Sequence, residues 1–216
     1  MVRASRMDDR DGEGSEREQP PWGDWWSLDE LTGRLTELSG VARLTLACSL
    51  VLEAQRSMIP AVWISATSHT FFPPDMERGG VDLEELPVVL VPDAASAGRA
   101  ADWLVRSDAF GLVLVDLEAD PCLGPARTPA PAMGLSMALQ ARLAHLARKS
   151  DTAVVFLTRK EAGAPSMSSM ITLRGETLRS AEGPFRYACE VRILKDKRRG
   201  PGWRHREVFD GPPGLH

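Results

Sequence analysis

The residues whose types and spacing could do chemistry begin at a strand–turn–helix stretch, Leu38-Ser39-Gly40-Val41-Ala42-Arg43-Leu44-Thr45-Leu46. A turn of this kind is where nucleotide-binding domains place a phosphate cradle, G-x-x-x-x-G-K-S/T. Its backbone N–H groups hold phosphate and its hydroxyl ligates magnesium. Only Gly40 remains of that pattern, the turn is about four residues too short, and no Lys-Ser/Thr pair opens the helix. Arg43 could replace a lysine's charge, but Leu44 has no oxygen to offer a metal ion. An ordinary βα turn capped by Ser39 accounts for the same residues. The stretch therefore predicts a chain that does not turn over ATP.

Further candidates are sparser. Asp116 ends the apolar run Gly111-Leu112-Val113-Leu114-Val115, where a magnesium carboxylate or a simple turn cap would sit. The four histidines, His69, His145, His205 and His216, are scattered outside any H-E-x-x-H or triad context, and His145 reads as a structural residue of an Ala/Leu-rich helix. Ser166, Ser168 and Ser169 lie in a loop without a nucleophile elbow. Cys48, Cys122 and Cys189 are odd in number and widely spaced, which argues against a disulfide framework and a zinc site and fits a reducing cytoplasm. No metal or cofactor is expected.

Charge is polarised along the chain. Up to Glu30 there are nine acids against four arginines, whereas Arg192 to Arg206 holds seven bases against Asp196 alone. The net charge of -4 conceals this asymmetry. Residues 1–21 are charged, nearly free of bulky apolar side chains and closed by Pro20-Pro21, so they are expected to be disordered. Trp22, Trp25 and Trp26 follow, either pinning the chain to its core or anchoring a partner.

The elements that must position these groups alternate. Strands are expected at 34–38, 61–64, 88–91, 111–116 and 153–157. Helices are expected at 41–58, with Val41, Leu44, Cys48, Val51, Leu52 and Gln55 on one face, at 94–105 and at 133–149. Residues 169–174 and 185–194 read as an antiparallel β-ribbon. Continuous apolar strands separated by helices indicate an α/β fold, a mainly parallel twisted sheet flanked by helices. The domain boundaries expected are a disordered acidic segment 1–21, a core at 22–200 and a flexible tail at 201–216. No secretory leader or membrane span is anticipated.

Gly33-Arg34-Leu35-Thr36-Glu37-Leu38-Ser39-Gly40, Thr45-Leu46-Ala47 and Glu53-Ala54-Gln55 resemble the first strand, turn and helix of the recombinase RecA. The likeness continues through Val81 to Leu86, Leu104 to Ser107, Leu112 to Asp116, Met133-Gly134-Leu135 and Ile193 to Lys197, and covers roughly residues 27 to 200 in matching order. The resemblance implies a RecA-like core. It places the water-activating carboxylate of the family near Thr67-Ser68, where there is no acid, so Gly40, Arg43, Leu44, Thr67, Ser68 and Asp116 make up a degenerate nucleotide site.

It also aligns Lys195 and Lys197 with two lysines that in RecA filaments reach the neighbouring subunit's nucleotide. A solvated basic strand end is the equally weighted alternative. RecA-like chains without a phosphate loop resemble the ImuA family, linked to SulA-type proteins, which accompanies ImuB in damage-induced mutagenesis. The resemblance thus implies a non-enzymatic, cytoplasmic, nucleoid-associated partner of RecA and of an ImuB-type protein, with Lys195, Lys197, Arg198, Arg199 and the three tryptophans as contacts. A single-stranded DNA-binding protein using Arg159, Lys160, Arg204 and Arg206 is one alternative, and a SulA-type division inhibitor is another.

Overall fold

The computed structural model describes residues 26–66, 73–117, 135–184 and 186–210. Eight strands form one sheet: β1 (Leu35–Gly40), β2 (Ala61–Ser65), β3 (Val88–Leu90), β4 (Leu112–Asp116), β5 (Ala153–Thr158), β6 (Leu173–Gly183), β7 (Arg186–Asp196) and β8 (Arg204–Asp210). Their order is β3-β2-β4-β5-β1-β6-β7-β8. The pairs from β3 through β1 to β6 are parallel, and β6-β7 and β7-β8 are antiparallel.

Five helices connect the strands: α1 (Leu28–Leu31), α2 (Arg43–Arg56), α3 (Pro73–Arg78), α4 (Ala94–Arg106) and α5 (Met137–Lys149). The central strands β2, β4 and β5 are apolar along nearly their whole length because both faces are covered. Successive side chains go to opposite sides: Leu112 and Leu114 join α1 and α2 in one core, Val113 and Val115 join α4 and α5 in the other. Gly98 of α4 permits close approach to α5, since a Cβ there would lie 2.7 Å from Leu139 Cδ2. None of the described helices is long and apolar enough to cross a membrane.

Several expectations need correction. The buried face of α2 is Arg43, Leu46, Ala47, Leu50, Val51 and Ala54, one residue off the anticipated stripe, and Val41 is exposed. Leu44, Cys48 and Leu52 are only half-buried beside it. The helix carries apolar residues round most of its circumference, so tertiary packing and not its own pattern selected the inward side. The first ribbon strand is β6 at Leu173–Gly183, not 169–174. The expected flexible tail is a sheet strand over 204–210, where β8 pairs antiparallel with β7; its charged residues are tolerated because it is an edge. His145 is exposed on α5 rather than structural.

Candidate functional site

The β1–α2 turn is closed by the chain itself. Gly40 adopts φ +100°, in the left-handed region that favours glycine, and pairs with Thr177 of β6. A Cβ on Gly40 would stand 2.2 Å from the Thr177 carbonyl oxygen. The N–H of Val41 donates to that oxygen at 3.2 Å, and the N–H of Ala42 donates to Thr177 Oγ1 at 3.0 Å. The amides leading into α2, which would face a phosphate, are thus held by β6. Ser39 does not cap the helix: it is buried within β1 and its hydroxyl donates to the Gly175 carbonyl at 3.4 Å.

Arg43, at the start of α2, is buried and donates through Nη1 to the Gly40 carbonyl at 3.0 Å. Burial draws its pKa below the usual arginine value, opposed by the negative charge of Asp116 at the end of β4. Asp116 is itself buried, close enough for its charge to act on Arg43. Leu44, where a hydroxyl would be needed, is packed against the core. These residues do not fit a magnesium nucleotide. Thr67 and Ser68 lie outside the described residues, as do Trp22, Trp25 and the loop 118–134. Among the described residues, no group of three or more His, Cys, Asp and Glu side chains is placed to hold a metal ion.

A second cluster surrounds Glu37, whose side chain is fully buried in the middle of β1. Glu37 accepts from the Met167 N–H at 2.9 Å and Thr158 Oγ1 at 3.3 Å, and pairs with Lys160 Nζ at 3.0 Å. The Arg174 guanidinium stands 4.0 Å away and donates to the carbonyls of Glu161 and Ala164. Lys160 also donates to the Pro165 carbonyl at 3.2 Å. The segment after β5 is therefore pinned by cations arranged around one carboxylate.

Most of the sequence-derived contact residues that the structure describes have an internal role. Lys195 Nζ donates to the Ser168 carbonyl at 3.5 Å, and Lys197 Nζ to the Ser169 carbonyl at 2.7 Å. Partial burial and the charges of Lys197 and Arg174 lower the Lys195 pKa, with Glu37 opposing. Arg198 reaches the Glu30 and Thr32 carbonyls, and Arg199 pairs with Glu30 at 2.5 Å. Arg204 and Arg206 pair with Glu190 and Glu182. Arg159 is exposed after β5. Trp26 is 3% exposed, in the core with α1 and α2, which matches pinning for that tryptophan.

Sequence reasoning passed over Glu37, Thr177, Arg174 and Asp196. Two of them carried a local signal: Glu37 is a charge set inside a strand between Leu35 and Leu38, and Asp196 is the one acid in a basic run. A buried charge demands a partner. Thr177 gave none, because its role exists only once β6 lies beside β1.

No family model matches the chain. Curated relatives that it matches are RecA proteins. That of Aquifex aeolicus is 30% identical over 181 residues, covering 78% of this chain and 51% of the relative. That of Nitratidesulfovibrio vulgaris strain DP4 is 30% identical over 188 residues, covering 81% and 52%. A crystal structure of the RadB recombinase matches with a TM-score of 0.56 over 83% of this chain and 91% of that chain, at 18% identity, which supports the fold. The chain spans about half the length of the curated relatives it matches. With its RecA-like sheet and its motifs in RecA order, this protein is a distant homologue of RecA.

Proposed function

We propose that this protein is a non-enzymatic RecA-like accessory factor of DNA-damage-induced mutagenesis, acting by protein–protein contact on RecA and an ImuB-type partner. The observation that carries this reading is the occupation of the β1–α2 turn by Thr177, with the buried Asp116 close enough for its charge to act on Arg43. A fold whose phosphate-facing amides are bonded to its own β6 retains its surfaces but not that chemistry. Homology to RecA supplies the repair and recombination context, and the absence of a phosphate-loop sequence supplies the likeness to ImuA.

The contact face in this reading is the end of the sheet that carries Lys195, Lys197, Arg198 and Arg199. Lys197, Arg198 and Arg199 are exposed, and each internal bond they make is one that water or a partner replaces at little cost. Direct binding of single-stranded DNA is less favoured. Of its candidate contacts, Lys160, Arg204 and Arg206 stand beside Glu37, Glu190 and Glu182, and these acids leave little net positive charge for a phosphate backbone.

Affinity capture from DNA-damaged cells tests the proposal, with retention of RecA or an ImuB-type protein expected. Strand exchange by purified RecA should respond to the added protein, and respond less to Lys197→Ala/Arg198→Ala/Arg199→Ala. Hydrolysis of ATP by the purified chain, or failure to retain either protein, overturns it.

A further inference from the structure

Helices α4 and α5 meet over a buried acid. Asp102, 3% exposed, accepts from Arg106 Nη2 at 2.6 Å through one carboxylate oxygen and from Arg142 Nε at 2.5 Å through the other. The two arginine side chains are 52% and 53% exposed. Both guanidiniums are thus oriented by the acid beneath them, and among the described residues their other N–H groups have no protein partner.

Trp103 follows the buried acid in α4 and is 72% exposed, whereas Trp26 and Trp63 are core residues. Arg99 lies four residues before it and Arg106 three after it, spacings that put all three on one helix face. Arg99 is exposed and bonds Ser96 of its own helix at 2.8 Å. The fold requires neither feature. One arginine balances the charge of Asp102, so the second leaves an excess positive charge at the surface. A large aromatic ring gains nothing by standing in water.

We infer that this face docks an acidic stretch of a partner protein, a Glu or Asp side chain bridging the Arg106 and Arg142 guanidiniums while an apolar neighbour packs on the Trp103 ring. Guanidinium forks match carboxylate geometry, and arginines already held in place lose less freedom when a ligand binds. Tryptophan is the residue type that most often anchors such contacts. Nucleic acid is a poor match. Residues 93–108 and 136–151 hold five Lys and Arg beside four Asp, which gives a phosphate backbone no run of unopposed charge. The chain's own residues 1–21 also match poorly, because their six acids come with four arginines. The face belongs to α4 and α5, apart from the end of β7 that carries Lys195. The inference rests on the reading that the protein works by protein contact, but requires neither RecA nor an ImuB-type protein as the partner.

The test uses the full chain labelled with nitrogen-15, following the indole N–H signals during titration with acetyl-Leu-Glu-Glu-Leu-amide, its neutral glutamine counterpart and an oligothymidine. The Trp103 signal is assigned by Trp103→Phe, a change at an exposed position. The acidic peptide is expected to move the Trp103 signal and to bind about tenfold more tightly than the glutamine peptide. Arg106→Gln, which leaves Arg142 on Asp102, should remove that preference; Arg142→Gln serves the same end should the first variant fail to fold. Arg78→Gln, an exposed position on α3, should leave it unchanged. An unmoved Trp103 signal, equal binding of both peptides, or a preference that survives loss of either arginine overturns the inference. So does a Trp103 signal that responds to oligothymidine more strongly than to the acidic peptide, or one that moves on dilution of the protein alone, the mark of a second copy. Because no RecA or ImuB-type protein is present, this result is separate from the outcome of the capture experiment.

Discussion

Arg34 and Asp196 are 162 residues apart in sequence and form a buried ion pair at 2.5 Å, their side chains 2% and 0% exposed. The pair ties the start of β1 to the end of β7. Asp196 also accepts from the Arg198 N–H at 2.8 Å and from the Trp203 indole at 3.2 Å, so its charge is fully partnered. Asp196→Asn strands the Arg34 charge in a dry site and should lower stability by about 3–5 kcal/mol, read from urea denaturation.

Acid acts on the same pair. Burial pushes the Asp196 carboxyl up, but the Arg198, Arg34 and Trp203 hydrogen bonds and the Arg34 charge outweigh it and hold the pKa below its ordinary value. A carboxyl with a depressed folded-state pKa stabilises fully above its unfolded value, about 3.9, and loses that contribution as pH falls through the folded value. The stability difference between wild type and Asp196→Asn should therefore be constant near neutrality and shrink below about pH 4. Denaturation midpoints across an acid series measure it.

Thr177→Val keeps the shape of the side chain and deletes the acceptor for the Ala42 N–H, which is fully buried. An orphaned buried donor costs about 1–3 kcal/mol. Hydrogen exchange at Ala42 should accelerate along with that loss, whereas a solvent-facing threonine would change neither.

Asp116→Asn separates a structural role from a metal-binding one. If the carboxylate offsets the buried Arg43 charge, the substitution lowers the melting temperature, because Arg43 loses the charge that opposes its desolvation. A carboxylate kept for magnesium would behave oppositely, since functional charges are commonly held at a cost to stability. Magnesium ATP at a hundred times a dissociation constant would add about 2.7 kcal/mol of stability to a true binder. No thermal shift is expected at millimolar ATP.

Glu37→Gln should loosen the segment after β5 rather than unfold the protein. Arg174 keeps the Glu161 and Ala164 carbonyls, so the cost should be about 1–3 kcal/mol and not that of a stranded charge. Exchange at the Met167 N–H and limited proteolysis near residues 161–166 should both rise.

The sequence alone determined the central parallel strands and the turn that follows the first of them. Runs such as Leu112 to Val115 and Ala153 to Leu157 are apolar at every position, which only a strand covered on both faces tolerates, and Gly40 marked the turn. These are local properties, carried by neighbouring residues. The tertiary structure decided which side of α2 faces inward, because its apolar residues nearly encircle it and only the sheet breaks the tie. It also decided that residues 204–210 form β8, since so highly charged a segment is ordered by its pairing with β7. Above all it decided what fills the β1–α2 turn. The sequence carries no G-x-x-x-x-G-K-S/T pattern at that turn, but Thr177 reaches Ala42 across 135 residues, and such a contact exists only after β6 has paired with β1.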